Sequence, residues 1–589
     1  MKRKLRVYVI GILTVVLVVG VVYFARLASF PGTVTTPAYK AEVQGIKTAF
    51  HAGVAYRYAG LPPFCEVTGN HHEMGLQYGV LLRPEIMRAL DSYKKIVRWQ
   101  AAKMGIPTPV LMAVAKYKAI QFSKRLPERF REEFKGLSEG SGVPEDTIIA
   151  ISLFYDVGEG MCTGLLMKGA GGTVIQGRNQ DATGFGGEEI GKMTVIVRYN
   201  AEGYNSITQF DWPLYMGIET GYNNKGLAFA EETLKIRHPN PAGFSIIYLA
   251  RIALETCARI EELYPLFDKY PVVGAYGTVW SDRDEGRGIV AELTAHGWAA
   301  QELKTPLLWN FNRIYDAKLY KLQAPRSNIA GSNFDRDYIA SGFPHKPVYT
   351  VKDAVDFLRA QKTSQGIDYS WYGSREAVCN SWAQQMIIFD PKGDGAYVAL
   401  GQYYAARQKV YHIHDDFSKP PELVMDALPL APVVEEAAQI ENLLLSDKDR
   451  LPAWKDLAQK YAADANAQFM AAYNGYKQGR IDLLAAYAPK AYALNPAVPE
   501  YRLYAGMAAY HQGEMAKAQA LLEGVQSSDL YPEQEIYRLN VLEKAWASSS
   551  PEKSAQDRTQ REALLAQFDA QEYYQSKLLP RLDKLSAKK

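Results

Sequence analysis

Between Met161 and Asp181 the chain reads M-C-T-G-L-L-M-K-G-A-G-G-T-V-I-Q-G-R-N-Q-D, and its composition favours a β-hairpin. Thr163–Lys168 is short and mostly apolar, Gly169–Gly172 turns freely at positive φ, and Thr173–Gln176 is β-branched and alternating. Pairing Lys168 with Thr173 across the glycine-rich loop sets Cys162 level with Arg178 and Asn179, with Asp181 just beyond. A thiol, a guanidinium and a carboxylate then share one end of a sheet.

That grouping acquires a chemistry if Cys162 becomes a chain terminus. A free thiol with a pKa of about 8.5 is mostly protonated at neutral pH and needs a base or a nearby cation to become a nucleophile. An α-amino group on the same residue, with a reference pKa of roughly 7.7 to 8.0, is such a base and requires no histidine. Arg178 favours the thiolate, and Asp181 holds the amino group. The bland alternative for Cys162 is a small buried thiol.

The stretch resembles the N-terminal nucleophile hydrolases that cleave linear amides, the group holding choloylglycine hydrolases, penicillin V acylases and acid ceramidases. It is most similar to their autoproteolytic branch, the peptidase C45 or acyl-CoA:6-aminopenicillanic acid acyltransferase type. In those families a Cys-Thr start is followed by a strand and an R-N-x-D signature, and Arg178 and Asp181 stand at the family spacings from Cys162. The resemblance implies an α+β fold with an αββα sandwich, a precursor activated by cutting Met161-Cys162, and catalysis through a thioester on Cys162 without a cofactor. The implied substrate is a small N-acyl amide, hydrolysed if water accepts the acyl group and transferred if an amine does.

The same resemblance assigns further residues. Cys65–Leu82 is similar to the Gly-punctuated opening of the C45-type precursors. Tyr222–Ala228 resembles the family's G-x-N-E-K-G-L loop, which makes Asn223 a candidate substrate-binding residue, although Asn224 replaces the usual glutamate. Thr233 stands where bile-salt hydrolases keep an active-site asparagine, a departure from that substrate class. By spacing from Ser281-Asp282, the asparagine that helps form an oxyanion hole falls at Asn310, with Asn312 and Asn333 as rivals. Arg375 matches a second family arginine and is a further substrate-binding candidate.

Several motifs point elsewhere and are set aside. His71 and His72 read as neighbours on a strand, on opposite faces, where they cannot share a metal. Gly136–Gly140 fits G-x-S-x-G, but the charged helical pattern before it denies Ser138 the strand that a serine elbow needs. Gly186–Lys192 has phosphate-loop spacing, yet Met193 replaces the hydroxyl residue. His412 and His414 could be half of a metal site, but no partner motif is legible elsewhere, so no metal is expected. Cys65, Cys257 and Cys379 read as packing residues, able to form one disulfide at most.

The 589 residues divide into an N-terminal anchor or signal (1–27), a linker (28–46), a largely helical pro-segment (47–161), the catalytic domain (162–415), a Pro-rich linker (416–433) and an all-α region (434–589). Lys2, Arg3, Lys4 and Arg6 precede Val7–Ala25, an uncharged run that would span roughly 28 Å as a helix. The segment reads as one transmembrane helix with its basic end cytoplasmic and the catalytic domain on the non-cytoplasmic side, periplasmic or extracellular. In the last region Tyr476, Gln478 and Gly479 recur as Tyr510, Gln512 and Gly513, which is the tetratricopeptide period and implies a protein-binding or packing role. A net charge of +3 over this length argues against nucleic acid. The competing reading is a catalytically inactive, membrane-anchored scaffold that works through these repeats.

Overall fold

The computed structural model describes residues 24–153, 161–181, 187–191, 193–329, 331–361 and 377–578. Most of the apolar run Val7–Ala25, and Arg375, lie outside them. Among the described residues no helix is long and apolar enough to cross a membrane.

The strands, in chain order, are β1–β4 (Glu42–Gln44, Lys47–Phe50, Gly53–Tyr56, Phe64–Gly69), β5–β6 (Met161–Lys168, Val174–Asp181), β7–β10 (Val195–Ala201, Ile207–Asp211, Thr220–Asn223, Leu227–Leu234), β11–β13 (Ala275–Asp282, Arg287–Thr294, Gly297–Glu302), β14 (Leu307–Phe311) and β15–β18 (Ala383–Phe389, Ala396–Leu400, Val410–Ile413, Glu422–Met425). They form two sheets, ordered β1-β2-β3-β4-β7-β8-β9-β10-β11-β12-β13 and β14-β5-β6-β15-β16-β17-β18. Pairing is antiparallel except between β4 and β7. The sheets face each other through alternating apolar residues, such as Leu166 and Val174 against Ala230 and Val279, and Ile387 and Phe389 against Phe210 and Ala228.

Helices cover both outer faces. On the first sheet lie α1 (His71–Leu81), α2 (Arg83–Met104), α3 (Thr108–Ser123), α4 (Glu128–Ser141), α5 (Glu145–Ser152) and α6 (Ile246–Thr256), whose Tyr78, Phe134 and Leu249 share a core with Val67, Val197 and Phe229. On the second lie α7 (Gly331–Ser341) and α8 (Val351–Leu358), where Ile339 and Phe357 pack with Leu165, Ile175 and Ile388. The result is an α+β sandwich of four layers, helix, sheet, sheet, helix.

The stretch before Cys162 is built into this sandwich: β1–β4 extend the first sheet and α1–α5 roof it. Two sequence motifs meet there. A Cβ on Gly75 would lie 2.1 Å from Glu133 O, and one on Gly136 would lie 2.0 Å from His72 O. The G-x-x-x-G pairs Gly75/Gly79 and Gly136/Gly140 therefore let α1 and α4 cross backbone to backbone. Ser138 lies inside α4 and donates to Val143 O at 2.6 Å, which leaves no serine elbow. His71 and His72 begin α1 behind an Asn70/Glu73 capping box, so they are helical and not on a strand. Buried His71 faces Glu255 at 3.3 Å.

Beyond the two sheets, Ala465–Lys477 with Ile481–Leu494, and Pro499–His511 with Met515–Glu523, form two helical hairpins turned at Gly479 and Gly513, whose φ values are 74° and 81°. Their Tyr476, Tyr504 and Leu484 belong to the same core as the outer face of the second sheet. The stretch expected as a Pro-rich linker contains β18, which pairs with β17, before the helix Pro432–Asn442 begins. The helical region is thus joined to the sheet by continuous apolar packing, fastened by Asn442 Nδ2 donating to Ser381 O and Asn328 Nδ2 to Phe568 O, both at 2.8 Å.

Candidate active site

The loop between β5 and β6 is one residue longer than the sequence reading has it. Gly169 N–H donates to Thr173 O at 2.7 Å, Gly171 and Gly172 take positive φ, and Lys168 pairs with Val174 rather than Thr173. Because side chains alternate between faces, this register puts Arg178 opposite Gly164, on the same face as Cys162; the expected register would have put it on the other. Cys162 pairs with Gln180, and Met161 with Asp181, so the Met161-Cys162 peptide runs along the ladder beside Asp181.

Arg178 Nη2 lies 3.2 Å from Cys162 Sγ. Its fork is aimed by Glu219 O at 3.2 Å, Thr220 Oγ1 at 2.5 Å and Glu231 Oε2 at 3.4 Å. Cys162 is 1% exposed. Burial pushes its thiol up, opposed chiefly by Arg178, so the uncut chain holds a protonated thiol beside a cation. Burial likewise pushes the Asp181 carboxyl up to about 7, against the pull of Arg336, Asn380 and Arg178. Asn380 Nδ2 donates to Asp181 Oδ2 at 2.6 Å.

The backbone of Cys162 is clamped by residues from two other elements. Its N–H donates to Asn312 Oδ1 at 2.8 Å, and its carbonyl accepts from Arg336 Nη1 at 2.6 Å. Arg336 Nη2 also donates to Asn312 Oδ1 at 2.9 Å and to Asn333 Oδ1 at 2.8 Å. Asn312 and Asn333, the two rivals for the oxyanion position, thus hold the chain at Cys162. Asn310 pairs with Gly164 one step along the same face, its buried amide without a hydrogen-bond partner among the described residues. It occupies room that only glycine leaves: a Cβ on Gly277 would lie 2.5 Å from Asn310 Oδ1, and one on Gly164 would lie 2.3 Å from Glu232 Oε1. Both Glu232 carboxylate oxygens are buried without hydrogen-bond partners among the described residues, and burial pushes that carboxyl well above its ordinary range.

Asn223 is a correction. Its Nδ2 donates to Leu254 O and Cys257 O, both at 2.8 Å, while its Oδ1 accepts from Lys225 N and Leu227 N, both at 3.0 Å. Every amide position is used to fasten the end of α6 to the β9–β10 turn, which leaves nothing for a substrate. Arg336 is the residue that sequence reasoning missed. It lies in α7, far from the hairpin in sequence, and no local motif marks it. All four cysteines are free and buried, so the remaining three act as packing residues.

The family model of acyl-coenzyme A:6-aminopenicillanic acid acyl-transferase matches residues 167–322, starting on β5 just past Cys162. Rat acid ceramidase is 22% identical over 210 residues, 31% of this chain and 52% of that protein. The N-acylethanolamine-hydrolyzing acid amidase of Caenorhabditis elegans is 28% identical over 131 residues, 21% of this chain and 36% of that protein. The chain spans about half, or less, of the length of the curated relatives it matches. Among solved structures, the C. elegans N-acylethanolamine-hydrolyzing acid amidase ortholog aligns at 15% identity with a TM-score of 0.29, over 39% of this chain and 93% of that one. Penicillin V acylase from Agrobacterium tumefaciens aligns at 16% identity with a TM-score of 0.28, over 41% of this chain and 83% of that one.

Proposed function

With residues 167–322 belonging to the acyl-coenzyme A:6-aminopenicillanic acid acyl-transferase family, of the N-terminal nucleophile hydrolases, we propose that this protein is a self-cutting cysteine amidohydrolase or acyltransferase acting on a linear N-acyl amide. The observation that carries this reading is the placement of Arg178 Nη2 3.2 Å from Cys162 Sγ, at the strand end where Asp181 faces Met161.

Activation begins with Cys162 Sγ attacking the Met161 carbonyl carbon. The peptide nitrogen leaves with a proton as the free α-amino group of Cys162, and water then hydrolyses the Met161 thioester, giving the Met161 carboxylate and restoring the Cys162 thiol. Asn312 Oδ1, which already accepts from that nitrogen, and Asp181 hold the new terminus. In turnover the amine takes the thiol proton, Arg178 stabilises the thiolate, and sulfur attacks the substrate carbonyl. Asn310 Nδ2, buried and without a hydrogen-bond partner among the described residues, is the donor we assign to the developing oxyanion. The α-ammonium returns its proton to the leaving amine. Water or a second amine, deprotonated by the same group, then resolves the acyl thioester.

The acyl amides named by the relatives, ceramides and N-acylethanolamines, are the substrates to try first. We place the enzyme on the non-cytoplasmic face of a membrane, held by Val7–Ala25, with the helical hairpins offering a surface to a protein partner. Intact-mass analysis tests the core of the scheme. Wild type should yield two fragments meeting at Met161 and Cys162, and Cys162→Ala should stay whole and release no fatty acid from an N-acylethanolamine. Amide hydrolysis by an uncut wild-type chain would sink it. Recovery of the full chain from the soluble fraction would remove the membrane assignment alone.

A further inference from the structure

At the other end of the second sheet, three elements bring five metal-ligating side chains together. His412 and His414 lie two residues apart on one face at the end of β17. The β15–β16 turn supplies Asp390 and Asp394, and β18 supplies Glu422. One ligand atom from each of Asp394, His412 and His414 lies within 4.8 Å of the other two. His414 Nδ1 is 2.9 Å from Asp394 Oδ2, and its Nε2 is 3.3 Å from Glu422 Oε1. His412 is 8% exposed. Its buried Nε2 makes no hydrogen bond among the described residues and faces Asp390 Oδ2 at 3.4 Å.

We propose that His412, His414 and Asp394 bind a divalent transition ion of the zinc class, with Asp390 or Glu422 completing the shell. Ligand atoms at 2.0–2.2 Å around tetrahedral zinc stand about 3.4 Å apart, so side-chain rotation alone closes the observed spacing. Two imidazoles with carboxylates suit zinc better than the all-oxygen shells of calcium or magnesium. The ion's role is structural. Asp390 lies five residues beyond Gln385, which is paired with Gln180 and through it with Cys162, roughly 17 Å away along the strand. The next residue after His414 joins the two sheets: Asp415 Oδ1 accepts from Arg198 Nη2 at 2.7 Å and from Tyr222 OH at 2.6 Å. An ion here clamps the turn, β17 and β18 where the sandwich closes.

The test uses the untagged full chain, stripped with EDTA, dialysed and titrated with zinc chloride by calorimetry. One equivalent should bind per chain, and Co2+ in its place should give visible d–d absorption. Asp394→Asn and His414→Gln should each weaken zinc binding at least tenfold, and zinc should raise the melting temperature of wild type but not of these variants. Asp394 is half exposed, so its variant keeps the test usable if a histidine variant does not fold. Absence of 1:1 binding, or binding unchanged in both variants, would overturn the proposal and leave an ion-paired cluster.

Discussion

Arg336 reaches Cys162 from a helix, so Cys162 is held from two directions: Arg178 at its sulfur and Arg336 at its carbonyl. The two should fail differently. Arg178→Lys keeps a charge near the thiol but loses the planar fork, and acylation by a thiol-directed acyl probe should fall without disappearing. Arg336→Lys cannot reach Cys162 O, Asn312 and Asn333 together. It should stop precursor cutting, read as an intact chain on a denaturing gel. Asn310→Ala should cut normally and then lose about 10²–10³ in kcat, the usual effect of removing an oxyanion donor. If Asn310→Ala instead turns over normally, the oxyanion assignment is wrong. Cys162, Arg178 and Asp181 are legible as a set because the Cys-Thr start and the R-N-x-D spacing mark them, although the register that puts Arg178 on the face of Cys162 is not. Arg336 and Asn380 were not, because contacts across more than a hundred residues leave no periodic trace. Asn223 misled for the opposite reason: its motif is visible, but the same loop residue also satisfies four backbone groups.

Single elements show where pattern reading holds and where it slips. The hairpin was recognised from its alternation and glycines, yet its register was misread by one residue, since turn geometry rather than hydrophobicity fixes the loop length. The G-x-S-x-G string is a helix contact, because nothing in those five letters distinguishes a glycine needed for a turn from one needed for close approach. That contact has a measurable consequence. A side chain on Gly136 meets His72 backbone oxygen, which cannot rotate away, so Gly136→Val must force α1 and α4 apart. Such overpacking typically costs about 1–3 kcal/mol. Urea denaturation should show a lowered midpoint in this variant. Equal midpoints for Gly136→Val and wild type would refute the close crossing. The paired histidines were visible too, but their acidic partners come from a β-turn and a separate strand, which spacing between histidines cannot reveal.

At the scale of the whole molecule, the proposed cut would leave the fold joined, because β1–β4 and α1–α5 lie in the first sheet and its roof; the two fragments should co-elute on gel filtration and part only in denaturant. What the cut would change is charge. In the uncut chain burial raises Asp181 from 3.8 to about 7 and Asp211 to about 8, and raises Glu219 well above its ordinary range. A folded chain that keeps protons the unfolded chain has lost becomes less stable as pH rises. These carboxyls thus contribute stability that is complete below about pH 4 and lost through pH 7 to 8. Glu255 works oppositely: buried, yet held below its ordinary 4.5 by His71, Arg251 and Arg129. Its contribution is already complete above pH 4.5, so it cannot mask the effect. Uncut Cys162→Ala should therefore unfold at a higher urea midpoint at pH 5 than at pH 8. For Asp181 alone the part lost between pH 5 and its folded value of about 7 is of order 3 kcal/mol, as each pKa unit corresponds to about 1.4 kcal/mol. In cut wild type the α-ammonium of Cys162 would stand beside Asp181 and favour its carboxylate, drawing the pKa down. The pH 5 to pH 8 difference should then shrink, and Asp181→Asn in the Cys162→Ala background should shrink it similarly without cutting. An identical pH dependence in all three proteins would show that Asp181 does not hold the new terminus.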